Sequence, residues 1–122
     1  MTVAGNYDPS CLFCRIIAGE SPSDVVYSDN MVVAFRDKYP KTPTHILIVS
    51  RKHIPTLDQA GEDDSELLSH FILVANHLAR ELGIAGAGYR LSVNVGPWGG
   101  QAIYHLHFHL LGGTPMSWEH ND

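Results

Sequence analysis

The sequence predicts an α+β domain in which an antiparallel sheet packs against one long helix. From Ser65 to Leu82, apolar residues recur at intervals of three and four, which is typical of an amphipathic helix. The segments on either side carry β-branched runs and two-residue alternation, which is typical of strands. The order short helix, strands, long helix, strands favours α+β over repeated βαβ units.

The first half of the chain predicts one short helix and three strands. "CLFCRIIAGE" has near-helical apolar spacing and is predicted to end at Gly19. "DVVYSDNMVVAFRD" predicts a hairpin with its turn at 28–30, where Ser, Asp and Asn favour a reversal. "HILIVS" is apolar without a break, so it predicts a strand covered on both faces.

The long helix is predicted to begin with Asp63 as its cap and to end at Gly83. His70 and His77 lie seven residues apart on one side and are predicted to be surface or boundary residues. The predicted apolar face consists of Leu67, Leu68, Phe71, Ile72, Ala75, Leu78, Ala79 and Leu82.

After the helix, "YRLSVNV" predicts a strand that a glycine-rich turn joins to an antiparallel neighbour, "HLHFHLL". The alternation in this neighbour places His105, His107 and His109 on one face and apolar residues on the other. A row of neutral imidazoles suits metal binding, proton transfer or nucleophilic attack. The row alone does not choose among these functions.

Composition limits the classes of function. The 122 residues, 44% of them hydrophobic, predict a single domain over 11–122 after a flexible N-terminal leader over 1–10. A net charge of −5 with only eight Lys and Arg residues argues against a broad surface for nucleic acid or anionic membrane. Without a leading signal pattern or an apolar run of ~20 residues, a soluble cytoplasmic protein is expected. The two cysteines form one CxxC pair, which favours metal binding or redox chemistry over a disulfide framework.

Three segments together resemble the histidine triad (HIT) nucleotide-binding family: "THILIVSRKHI", "NVGPWGGQ" and "YHLHFHLLGG". The tail "GGTPMSW" is similar to its Hint branch, and the resemblance extends from Cys11 to Trp118. It implies a five-stranded antiparallel sheet with one long and one short helix. It also implies a homodimer in which two sheets become continuous.

The resemblance implies a nucleotide-binding hydrolase that cleaves purine nucleoside phosphoramidates or related nucleoside monophosphoryl bonds. His107 would attack phosphorus to form a covalent nucleotidyl-imidazole, a step that neutral imidazole can perform near pH 7 without a cofactor. His109 would bind phosphate oxygens and assist the leaving group. His45 matches a further active-site histidine behind the row.

The same resemblance implies a set of substrate contacts. Asp37 would accept hydrogen bonds from the ribose hydroxyls. The phosphate would be bound by Asn94, Gly100 and Gln101, and the base would lie in an apolar slot of Phe13, Phe35 and Leu47.

Some bacterial HIT proteins and the related galactose-phosphate uridylyltransferases hold a structural zinc ion. The matching positions here are Cys11, Cys14, His53 and His105. Two thiolates with two imidazoles form a closed tetrahedral set, which is typical of a structural site. The alternative is two packed thiols beside a histidine that binds no metal.

The chain departs from the animal Hint pattern in ways that bear on substrate choice. Ala102 stands where a serine often assists the leaving nitrogen, and Thr114, Pro115 and Ser117 differ in the tail, where Met116 matches. A dinucleoside polyphosphate hydrolase or phosphorylase is therefore an alternative. So is a nucleotide-binding interaction protein with incidental activity.

A metal-dependent enzyme of the cupin or carbonic anhydrase kind is a further alternative, because alternating histidines can bind a catalytic metal. Such a barrel needs more strands and ligands after His109 than the remaining residues provide.

Overall fold

The computed structural model describes residues 7–117, which include five strands and two α-helices. The strands are β1 (Val25–Ser28), β2 (Val32–Arg36), β3 (Thr44–Ser50), β4 (Tyr89–Ser92) and β5 (His107–Gly112). They form one antiparallel sheet in the order β1-β2-β3-β5-β4, which confirms the predicted α+β class. Residues 1–6 of the predicted leader and Trp118 lie outside the described residues. Within 7–117, no helix has the length and apolar character needed to cross a bilayer.

The short helix α1 (Leu12–Ile17) forms as predicted and is tied to the residues before it. Cys11 is its N-cap, and the Cys11 Sγ accepts a hydrogen bond from Cys14 N at 3.2 Å. Cys11 N in turn donates to Asp8 O at 3.0 Å. The helix ends before Gly19, whose φ of 81° is readily adopted only without a side chain.

The long helix α2 (Ser65–Glu81) covers one face of the sheet. Phe71, Ala75, Leu78 and Ala79 are buried as predicted, but Ile72 is 43% exposed and Val74 takes the inward position. The prediction for Ile72 was wrong because a turn of about 100° per residue rotates that position away from the stripe.

The predicted cap at Asp63 was also wrong. A 3-10 turn over Glu62–Asp64 precedes α2, so the N-cap position falls on Asp64. The Asp64 carboxylate accepts from Gly61 N at 3.0 Å and from Lys52 Nζ at 2.8 Å. The Asp64 side chain therefore stabilises the turn before α2 by contacting residues that precede the helix.

The β1–β2 hairpin forms as predicted, with Asp29 organising its turn. Asp29 Oδ1 accepts from Met31 N and Val32 N, and Asp29 Oδ2 lies 2.6 Å from His70 Nε2. Burial alone would raise the pKa of Asp29, but hydrogen bonds, led by the one from His70, lower it to about 2. His70 is half-buried and His77 is exposed, so both are boundary or surface residues as predicted.

Strand β3 is covered on both faces, as its unbroken apolar run predicts. Ile46 and Ile48 belong to the main core beneath α2, whereas Leu47 and Val49 belong to a second cluster against α1. Val49 pairs with His107 and Leu47 with His109, so these histidines lie beside the second cluster.

The histidine strand begins two residues later than predicted. His105 precedes β5, because the chain bends at 103–105 and Leu106 N donates to Ile54 O at 2.7 Å. Strand β4 is likewise shorter than "YRLSVNV" and ends at Ser92.

Candidate active site and metal cluster

His107 is held as a neutral imidazole with one nitrogen able to attack. Its Nδ1 lies 2.7 Å from His105 O, and since a carbonyl only accepts, Nδ1 carries the proton and Nε2 the lone pair. The side chain is almost buried, and desolvation lowers its pKa below the ordinary 6.5. The Phe13 ring stands edge-on at 5.1 Å and fixes the plane of the imidazole. The arrangement suits a nucleophile near neutral pH.

His109 is oriented by His45 behind it. Lys41 N donates to His45 Nδ1 at 3.1 Å, so a neutral His45 carries its proton on Nε2. His45 Nε2 lies 3.0 Å from His109 Nδ1 and donates to it, which leaves the proton of His109 on Nε2. Burial lowers the pKa of His45 and, helped by the nearby His107, lowers that of His109 to about 4. His109 is therefore a neutral hydrogen-bond donor at physiological pH.

Asp37 lies beside this pair at the end of β2. Its Oδ2 is 3.3 Å from His45 Nε2, and its Oδ1 accepts from Tyr39 N at 2.9 Å. Because burial keeps His45 neutral, this contact is a dipolar interaction and not a full ion pair.

The predicted base slot is a compact apolar cluster. Phe13, Phe35 and Leu47 are 2%, 4% and 7% exposed, so only a small part of each side chain is accessible to a ligand. Together they form a wall and not an open slot. The Phe13 and Phe35 rings meet edge to face with centroids 5.5 Å apart. This wall adjoins His107 through Phe13.

The glycine-rich turn before β5 is braced from within. Gly99 has no room for a side chain, because a Cβ there would lie 2.3 Å from Val95 O. Asn94 Nδ2 donates to Gly99 O at 2.8 Å, and Gly96 N donates to Gln101 Oε1 at 3.0 Å. These contacts give a rigid loop whose shape depends on glycine.

Gln101 connects this loop to the rest of the molecule. Its Nε2 donates to Pro55 O at 2.8 Å and to Ile103 O at 3.0 Å, which uses both amide hydrogens. These hydrogen bonds give the Gln101 side chain a bracing role, and its predicted contact with phosphate remains a prediction.

Cys11, Cys14, His53 and His105 come together with ligand atoms all within 4.8 Å of one another. His105 Nε2 lies 2.6 Å from Ser50 O and donates to it, so His105 Nδ1 carries a lone pair. The His105 Nδ1 atom is 3.2 Å from Cys11 Sγ, 3.6 Å from Cys14 Sγ and 3.1 Å from His53 Nδ1. A backbone carbonyl fixing the remote nitrogen of the ring is typical of metal-binding histidines. This cluster could bind a metal ion.

Burial raises the pKa of the Cys14 thiol to about 11. A buried thiol of this kind ionises only when a cation compensates its charge. The chemistry of the donor set therefore fits a bound cation.

Asp37, His45 and His109 also place three ligand atoms within 4.8 Å. Here the proton on His45 Nε2 occupies the space between the ligand atoms, because His45 Nδ1 already accepts from Lys41 N. Hydrogen bonds hold this second group together, whereas in the first group the lone pair of His105 Nδ1 faces both sulfurs and His53 Nδ1.

Comparisons with known proteins agree with this geometry. A HIT domain model matches residues 18–116. The chain belongs to the HIT family. It is 48% identical over 105 residues to the purine nucleoside phosphoramidase of Escherichia coli (strain K12), covering 86% of this chain and 88% of that protein.

Solved HIT structures share the fold. A HIT family hydrolase from Legionella pneumophila is 50% identical with a TM-score of 0.87, covering 88% of this chain and 96% of that one. A zinc-bound histidine triad family protein from Mycobacterium smegmatis is 27% identical with a TM-score of 0.74, covering 84% and 74%. The predicted HIT fold is confirmed.

Sequence patterns alone missed several groups at this HIT site. Ser50 O and His105 O set the tautomers of His105 and His107, and Lys41 N sets that of His45. These are main-chain atoms, so no residue type signals them. Ser50 O reaches His105 because the end of β3 lies beside the segment that leads into β5, whereas His105 O and Lys41 N contact histidines two and four residues away.

Proposed function

We propose that this HIT protein is a hydrolase of purine nucleoside phosphoramidates. The observation that carries the proposal is the buried, neutral His107, with its Nδ1 proton on His105 O and its Nε2 lone pair available. The E. coli relative, a purine nucleoside phosphoramidase, supports the substrate class.

In the first step, His107 Nε2 attacks phosphorus as the P–N bond of the substrate breaks. The electron pair of that bond leaves with the amine, which takes up a proton from water, since Ala102 has no hydroxyl to deliver one. The positive charge that develops on the His107 ring is shared with His105 O through the Nδ1 proton.

In the second step, water attacks phosphorus and the bond to His107 Nε2 breaks. The products are a nucleoside monophosphate, free neutral His107 and the proton that the attacking water releases to solvent. His109 Nε2–H would donate to a phosphate oxygen in both steps, with His45 holding its tautomer. Asp37 would accept from the ribose hydroxyls.

The remaining substrate contacts follow the same assignment. Phe13, Phe35 and Leu47 would form the wall for the base. The braced loop of Asn94, Gly100 and Gln101 would face the phosphate, with Gly100 at a φ of 80°.

We assign a structural zinc ion to Cys11, Cys14, His53 and His105. With Zn–N of ~2.0 Å and Zn–S of ~2.3 Å, a tetrahedron has edges of ~3.3 Å between nitrogens and ~3.5 Å between nitrogen and sulfur. The separations of 3.1 Å between His53 Nδ1 and His105 Nδ1, and of 3.2 to 3.6 Å from nitrogen to sulfur, are close to these edges. The bound ion would supply charge compensation for two thiolates and tie α1 to the sheet.

We also propose a homodimer joined through the edge of the sheet. Strand β4 is an edge strand, and Arg90 on it donates to Ser117 O at 2.6 Å, which holds the tail beside that edge. On α2, the adjacent Ile72 and Leu73 are 43% and 63% exposed. A strand at the edge of a sheet and exposed apolar side chains on a helix are both features of protein interfaces.

The dimer is tested by sedimentation of the wild type and of Leu73→Glu. We expect the wild type to sediment as a dimer and the variant to dissociate at least ~10-fold more readily, because a carboxylate would be buried in the interface. Val25→Glu, at the opposite edge on β1 and 48% exposed, is the control and should stay dimeric. A monomeric wild type would refute the proposal.

The pH dependence of kcat/KM follows from the state of His107. Only the neutral imidazole attacks, so activity falls as pH decreases through the pKa of His107. Since burial lowers this pKa below 6.5, the acid limb of the profile should have its midpoint below pH 6.5. A midpoint at or above 6.5 in a steady-state profile would contradict the assigned environment.

The proposed activity is tested by incubating the protein with an adenosine phosphoramidate and, separately, with a diadenosine polyphosphate. Release of AMP and free amine from the first supports the proposal. Cleavage of the polyphosphate alone would instead support the dinucleoside polyphosphate hydrolase alternative. Binding without turnover of either would support an interaction role.

A further inference from the structure

The four cysteine and histidine ligands are unequally accessible. Cys14 and His105 are 1% and 0% exposed, whereas Cys11 and His53 are only partly buried. Cys11 and His53 line an open groove of about 440 Å³, and Cys14 and His105 are not among its lining residues. The cluster therefore has an inner pair of ligands and an outer pair that faces the groove.

One carboxylate shares this groove with the outer ligands. Asp8 lines it, and its backbone oxygen accepts from Cys11 N at 3.0 Å, so its position is tied to that of Cys11. Ser10 N and Ser10 Oγ both donate to Asp8 Oδ1, at 2.9 and 2.7 Å, and hold the carboxylate in place. A carboxylate held by these two donors is an anion at neutral pH, as aspartate ordinarily is.

Apart from Asp8, Cys11 and His53, the described residues that line the groove carry no charge. Leu12, Ala102 and Ile103 are apolar, and Ser10 and Tyr104 contribute hydroxyls. A neutral hydroxyl attracts a divalent cation less than a carboxylate does, so the fixed carboxylate of Asp8 is the natural first contact.

We propose that the groove is the route by which the metal ion enters and leaves the Cys11–Cys14–His53–His105 cluster, with Asp8 as a transient carboxylate ligand. This inference rests on the zinc site proposed above. An incoming ion would pass from Asp8 to Cys11 and His53 and then to the inner Cys14 and His105. As each cysteine thiol binds the ion as a thiolate, it would release its proton to solvent.

A transient ligand lowers the barrier in both directions and leaves the affinity nearly unchanged. A carboxylate that only stabilised the bound ion would behave differently, because its removal would speed release. The two roles thus predict opposite changes in the rate of exchange.

The experiment uses the loaded protein throughout. Purified holoprotein is mixed with isotopically enriched zinc, and replacement of the bound ion is followed by native mass spectrometry. Asp8→Asn should slow exchange about tenfold with unchanged metal stoichiometry. Ala102→Leu, which narrows the groove without altering charge, should slow it as well.

Asp63→Asn is the matched control, because Asp63 is an exposed acid near the start of α2 and is not among the groove residues. It should exchange at the wild-type rate. Exchange in Asp8→Asn at or above the wild-type rate would overturn the route. Wild-type protein that neither contains nor takes up zinc would overturn the metal site itself, and with it this inference.

Discussion

Replacing His107 with alanine is expected to reduce kcat for an adenosine phosphoramidate by at least ~10⁴-fold. The substitution removes the nitrogen that forms the covalent intermediate, and the neighbouring His109 cannot take its place. His109 Nδ1 accepts from His45, and its Nε2 carries a proton, so His109 presents no lone pair to phosphorus. Single-turnover kinetics with mass detection of the nucleotidyl adduct would show both the lost rate and the missing adduct.

Binding should survive this change. The wall of Phe13, Phe35 and Leu47 does not depend on the imidazole, so affinity for a nucleoside monophosphate should change less than ~10-fold. His77→Ala, which removes an exposed histidine on α2, is the control and should keep normal turnover. Adduct formation or near-normal turnover in His107→Ala would show that the nucleophile is another residue.

The sequence predicts the sheet well because its patterns arise from the burial of side chains. "HILIVS" has no polar interruption because β3 is packed on both faces. In the helix that begins at Ser65, the spacing of apolar residues in the sequence likewise follows the buried face. The errors at Ile72 and Asp63 arise where periodicity loses precision, at one flank of the stripe and at the helix entry.

At the candidate site, the sequence predicts the residues but not their protonation states. The residue types of His105, His107 and His109 indicate reactive imidazoles, but their separate states depend on main-chain groups. The group that sets His105 comes from a distant segment, and the one that sets His107 lies two residues away. Ser50, for example, is 55 residues from His105 in the sequence. Its carbonyl oxygen accepts from His105 Nε2, and this hydrogen bond turns His105 Nδ1 toward the cysteines. Tautomers of this kind follow from tertiary structure and have no local sequence pattern.

The metal cluster provides the second large effect, a loss of stability in Cys11→Ser. Serine keeps the helix cap, because its hydroxyl can accept from Cys14 N as the Cys11 sulfur does now. The loss of stability therefore reports the metal and not the cap. With one thiolate removed, we expect zinc content to fall well below one ion per chain and the unfolding free energy to fall by roughly 3 kcal/mol or more.

For a chain of this length, that loss corresponds to a decrease in Tm of ~10 °C or more. Calorimetry with and without a strong chelator tests whether loss of the metal ion causes this decrease in Tm. The chelator should lower the Tm of the wild type toward that of Cys11→Ser and leave the Tm of the variant unchanged, because the variant has little metal to lose. Equal chelator effects on both proteins, or unchanged zinc content in the variant, would show that Cys11 is not a ligand. Because His105 O also holds the His107 Nδ1 proton, a moderate decrease in kcat should accompany the loss of metal, far smaller than that in His107→Ala.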